Sequence, residues 1–119
     1  VNELELTTPD VLDGAADTIR HDGWHQGFFH ASGTSRVCAV GGMNVTCGRY
    51  AYDWEHDDTR RAMASLVKHL GLRVGSDEDR DGDALVLAIG RWNDADNRTA
   101  EDVIAALEGA ARAERERAS

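Results

Sequence analysis

Apolar positions recur at helical spacing in four stretches of the chain. The first is Val11, Leu12, Ala15, Ala16 and Ile19, which lie on one face of a helix. Thr8-Pro9 starts it, with Thr8 as N-cap and Pro9 at the first helical position, and Gly23 after His21-Asp22 closes it. The second is Ala62, Met63, Leu66, Val67 and Leu70, opened by Asp57-Asp58-Thr59 and stopped by Gly71. The third places Leu85, Ile89 and Trp92 on one stripe, flanked by Val86 and Ala88 and capped by Asp83. The fourth is Val103, Ile104, Leu107 and Ala111. It follows a polar elbow, Asn93-Asp94-Ala95-Asp96-Asn97, and a capping box in which Thr99 and Asp102 exchange hydrogen bonds.

Between the first two stretches the period is less plain. Trp24 to His30 is aromatic and reads as a short extended segment. Residues 31–35 read as a turn, and Arg36 to Val40 returns as a second strand. From Cys38 the chain then enters a short helix through Gly41, Gly42, Met43 and Val45. The expected architecture is therefore mostly α (an α+β domain): four to five helices with a short β-hairpin, in one domain over residues 1–119. Residues 1–7 read as a loose lead, Leu72 to Gly82 as an acidic loop, and residues 112–119 as a fraying tail without large apolar side chains.

Charge narrows the function classes. Thirteen basic against 22 acidic residues leave a formal net charge of −9. No basic stripe exists to displace counterions from a phosphate backbone, which argues against nucleic-acid binding. No apolar run approaches the ~20 residues of a membrane span, and no basic-then-apolar leader is visible. Two cysteines, Cys38 and Cys47, are too few for a disulfide scaffold, so a reduced, cytoplasmic protein is expected.

Three groups of residues carry candidate chemistry. Asp77, Asp79, Asp81 and Asp83 alternate around Gly82 like the front half of a calcium loop. The bidentate Glu of a full loop is replaced by Ala88, which leaves at most a weak calcium or magnesium site, so no cofactor is expected. His21, His25 and His30 with Cys38 and Cys47 could form a transition-metal set, but the cysteine spacing is not that of a zinc knuckle. Cys38 is the one candidate nucleophile, with a histidine such as His25 as base. No nucleophile elbow or glycine-rich phosphate loop surrounds it.

Three further stretches together resemble a family of small actinobacterial and actinophage proteins of unknown function, DUF6197. They are Trp24-x-Gln26-Gly27, then Arg36-Val37-Cys38-Ala39-Val40-Gly41-Gly42-Met43, then Trp92-Asn93-Asp94 followed by Arg98-Thr99-Ala100-Glu101-Asp102-Val103. The middle stretch departs at Gly42, where the family has a larger residue. The resemblance implies a mostly helical fold and a bacterial or phage origin, and no activity. Trp24, Gln26, Trp92, Asn93 and Asp94 are its polar-aromatic set, and they could either line a ligand or partner pocket or pack and close turns. The function expected by elimination is a non-enzymatic accessory module that binds a protein partner, with self-association left open. The rivals are a small Cys38 enzyme and a cation-binding regulator.

Overall fold

In the computed structural model of this protein, residues 6–27, 29, 33–74 and 82–118 are described. Among them five helices form: α1 (Thr8–Asp22), α2 (Ala39–Thr46), α3 (Asp57–Leu70), α4 (Gly82–Asn93) and α5 (Ala100–Ala118). α1 packs on α5, α2 and α3, while α4 is held between α3 and α2. Leu12, Met43, Met63, Leu66, Ile89 and Leu107 are fully buried where these faces meet. Each such side chain contributes roughly 1.5–3 kcal/mol of transfer free energy.

The helices begin and end for local reasons. Thr7 rather than Thr8 is the N-cap of α1, its hydroxyl accepting the Asp10 N–H at 3.3 Å, and Pro9 falls in the first turn. Gly23, at φ 101°, closes the helix with its N–H on the Ile19 carbonyl. Gly71 ends α3 in the left-handed conformation that glycine adopts without steric cost. The Thr99–Asp102 capping box forms in both directions at 3.1 Å. α5 then runs to Ala118, beyond its last large apolar residue. There Glu114 accepts from Ser65 of α3 and Arg115 pairs with Asp13 of α1, both at 2.6 Å.

α1 and α2 touch almost backbone to backbone. A Cβ on Gly14 would lie 2.2 Å from the Thr46 methyl, and one on Gly42 would lie 3.2 Å from the Ala15 carbonyl oxygen. Gly42 therefore belongs to the helix because of its packing, although its propensity disfavours one.

The expected β-hairpin does not form. Among the described residues no strand is present, only an isolated bridge between Trp24 and Val37, and it is parallel rather than antiparallel. His25 donates to the Val37 carbonyl and Val37 to the Gly23 carbonyl, both at 3.0 Å. Residues 28 and 30–32, on which part of the hairpin was placed, lie outside the described residues. The physical reason is a competing cap. Cys38 is the N-cap of α2 and takes the Gly41 N–H on its sulfur, so Ala39 and Val40 turn into helix instead of extending. The β-propensity of the aromatic run is overridden by side-chain partners described next.

Candidate functional site

The polar-aromatic residues Trp24, Gln26, Asn93 and Asp94 do meet, at the C-terminal end of α4. Asn93 is 1% exposed and uses all of its amide. Its Oδ1 accepts from the Trp24 indole N–H at 2.9 Å and from the Ala39 N–H at 3.1 Å. Its Nδ2 donates to the His25 carbonyl at 3.1 Å and to Asp94 Oδ1 at 3.0 Å. Gln26 Nε2 donates to the carbonyls of Asn93 and Ala95, both at 3.1 Å, and Asp94 Oδ1 also accepts the Gly27 N–H at 2.9 Å. One amide thus ties the segment after α1 to α4 and satisfies the first N–H of α2, an otherwise orphaned donor. The fifth residue, Trp92, is half-buried with the Arg98 guanidinium 4.3 Å over its ring, and Arg98 Nε donates to its carbonyl at 2.9 Å. The polar atoms of this cluster are largely spent on one another, which suits a clasp.

A second buried amide lies at the other end of α2. Asn44 Nδ2 donates to the Ala51 carbonyl at 2.7 Å, and its Oδ1 accepts from the Thr59 hydroxyl at 3.0 Å. Arg49 grips Asp58 with both guanidinium nitrogens, at 2.6 and 3.0 Å. The Arg49 hydrogen bonds hold the Asp58 carboxyl below its usual range, against the opposing effect of partial burial. Sequence reasoning missed this set. The one available signal was an asparagine inside the apolar run from Val40 to Val45.

Cys38 is buried, and burial pushes its thiol pKa up, against the smaller lowering by the Gly41 N–H. That disfavours the thiolate a nucleophile needs. His25 is half-buried and gives its backbone carbonyl to Asn93. Burial also raises the Cys47 thiol. Among the described residues no three His, Cys, Asp or Glu side chains gather as a metal set. His30, Asp77, Asp79 and Asp81 lie outside those residues. Asp83 is not an N-cap: α4 already begins at Gly82, and Asp83 sits exposed in the first turn, where its charge suits the helix dipole.

Two clefts flank α2. One, of about 310 Å³, is floored by Val37, Val45 and Ala51 and edged by Asp22, Tyr50 and Tyr52. Tyr50 is 73% exposed and Tyr52 57%, and their rings stack in parallel with centroids 5.6 Å apart. Arg49 reaches the same cleft but is bound to Asp58. The other cleft, of about 410 Å³, lies between α2 and α4. No described helix is long and apolar enough to cross a membrane.

No curated protein and no solved structure matches the chain significantly. A family model described as "Family of unknown function (DUF6197)" matches residues 4–113, so the chain belongs to that family.

Proposed function

We propose that this protein is a non-catalytic binding module whose docking face is the Tyr50–Tyr52 cleft, and that its partner is a protein presenting a basic side chain. The observation that carries this reading is the pair of stacked, solvent-facing tyrosines beside the exposed Val45, over an apolar floor. Tyrosine supplies rigid amphipathic contact area at low entropic cost and is enriched where proteins meet. Both rings are mostly exposed, so they cover little of the core.

Charge sets the partner's sign. The Arg49 cation in the cleft is matched by Asp58, which leaves Asp22 as the charge facing an incoming group. Asp22 is the last residue of α1, where a negative charge opposes the helix dipole. Its neighbour His21 contacts it at 2.8 Å, itself largely exposed. A carboxylate placed against the local helix rule, beside two aromatic faces, fits recognition of a guanidinium or ammonium. The net charge of −9 favours encounter with basic surfaces.

The test uses a fluorescently labelled peptide of alternating Gly and Arg, and a Gly/Glu peptide of equal length, titrated by anisotropy. The Arg peptide binds saturably and more weakly with added salt, the Glu peptide does not, and Asp22→Asn and Tyr50→Ala/Tyr52→Ala each weaken binding. Equal binding of both peptides, or indifference to the tyrosine substitutions, would overturn the proposal.

A further inference from the structure

We infer that the cleft between α2 and α4 is a binding site for a small amphipathic carboxylate, with Arg91 holding the head group and the apolar body lying along Gly90. The inference is independent of the tyrosine face and goes beyond it. It starts from the glycines. Six helical glycines are described, and five have a packing reason. A Cβ would meet Thr46 at Gly14, the Phe29 carbonyl at Gly41, Ala15 at Gly42, the Trp54 ring at Gly82 and the His69 ring at Gly109, all within 3.2 Å. Gly90 alone among them meets no other described residue within 4 Å. A glycine inside a helix is destabilising relative to alanine, and without a side chain it leaves the backbone open to a group that comes close to it.

What Gly90 faces is the cleft of about 410 Å³. Its walls are apolar: Phe29, Val40 and Val86, with Cys38 alongside and Leu87 at the rim, 58% exposed. Ligand pockets are mostly apolar with a few placed polar groups, and run from about 300 Å³ upward. At about 30 Å³ per water-sized group the space holds on the order of ten non-hydrogen atoms. Arg91 lines the cleft and is exposed, and among the described residues its guanidinium has no ion pair or side-chain hydrogen bond. Asp94 also lines the cleft, but its Oδ1 is held by the Gly27 and Asn93 N–H groups. With no ion-pair partner among the described residues, Arg91 beside an apolar floor suits an anionic head on an apolar body, held on the side away from the Asp94 carboxylate. Its planar fork suits a carboxylate.

Octanoate is the probe, with 1-octanol as the uncharged control and isothermal titration as the readout. The expected result is saturable octanoate binding, about tenfold or more weaker in Arg91→Gln, with octanol binding the wild type and Arg91→Gln alike. Gly90→Ala separates a ligand role from a structural one. It meets no steric obstacle, so it raises the melting temperature while weakening octanoate binding, and Gly90→Leu abolishes binding. No saturable binding by the wild type would overturn the inference. So would octanoate affinity unchanged in Arg91→Gln, or unchanged in a folded Gly90→Leu protein.

Discussion

Asn93 and Asn44 are both buried asparagines beside α2, and the difference between them shows how this small domain is locked. Asn93 gathers four bonds on one amide: it accepts from two donors and donates to two acceptors, joining the segment after α1, the start of α2 and the end of α4, with Gln26 and Asp94 adding bonds beside it. Asn44 works in company. Its amide makes two of the contacts that fix the loop between α2 and α3, and the Arg49–Asp58 pair makes others. Low local dielectric makes both sets strong while complete and costly when broken. The first gathers the larger share of its bonds on one side chain, and the second spreads them over Asn44, Arg49, Asp58 and Thr59.

The comparison breaks most visibly at Asn93. Replacing it by alanine leaves the Trp24 indole, the Ala39 N–H and the His25 carbonyl without their partner. With each orphaned group costing about 1–3 kcal/mol, the loss is at least about 3 kcal/mol. Urea unfolding followed by tryptophan fluorescence should show it, because Trp24 reports the clasp directly. Asn44→Ala leaves the Ala51 carbonyl without its amide donor and the Thr59 O–H without its acceptor, and should cost about 2 kcal/mol. A double-mutant cycle with Thr59→Val sharpens the contrast. It should return coupling of about 0.5 kcal/mol or more, whereas Asn93 and Thr59 should be additive.

Asp58 gives a smaller, pH-marked effect. Its carboxyl is held below the usual range chiefly by the Arg49 hydrogen bonds, so its folded pKa is lower than its unfolded one. Its contribution is then complete above the unfolded aspartate value of about 3.9 and is lost as pH falls through the folded pKa. Wild type and Asp58→Asn should therefore differ in urea midpoint at neutral pH and converge in strong acid. The smallest stability change belongs to the tyrosine face: Tyr50→Ala/Tyr52→Ala should move stability by only about 0.5 kcal/mol, as surface substitutions do, while removing binding of the Arg peptide.

Much of the helical frame was legible in the sequence because periodic apolar positions and caps are local signals. The α1 stripe is buried as its spacing predicts, and so are those of α3, α4 and α5 except at Leu70, Val86, Trp92 and Ile104, which are half-buried. Gly23, Gly71 and the Thr99–Asp102 box close or open helices as their chemistry predicts. The described ends of the segment from Trp24 to Val40 escape a local reading because partners far along the chain hold them. The acceptor for the Ala39 N–H is on Asn93, 54 residues away, and the indole of Trp24 answers to the same atom. Aromatic content alone then suggested a strand. Trp24, Gln26, Asn93 and Asp94 could be singled out as a group, but only their mutual hydrogen bonds show how far their polar atoms are committed. The Arg49–Asp58 pair and the stacked Tyr50–Tyr52 rings gave no sequence signal, since an irregular connection has no period to read.

The Asn93 cluster holds the fold, and the tyrosine cleft is the face proposed to meet a partner. The most direct measurement is an NMR titration of isotope-labelled protein with the Gly/Arg peptide. Shifts should centre on Asp22, Val45, Tyr50 and Tyr52, with the Trp24 indole and the Asn93 side-chain amide unmoved. Shifts centred on the Trp24 indole and the Asn93 amide, with the tyrosine face silent, would contradict that assignment.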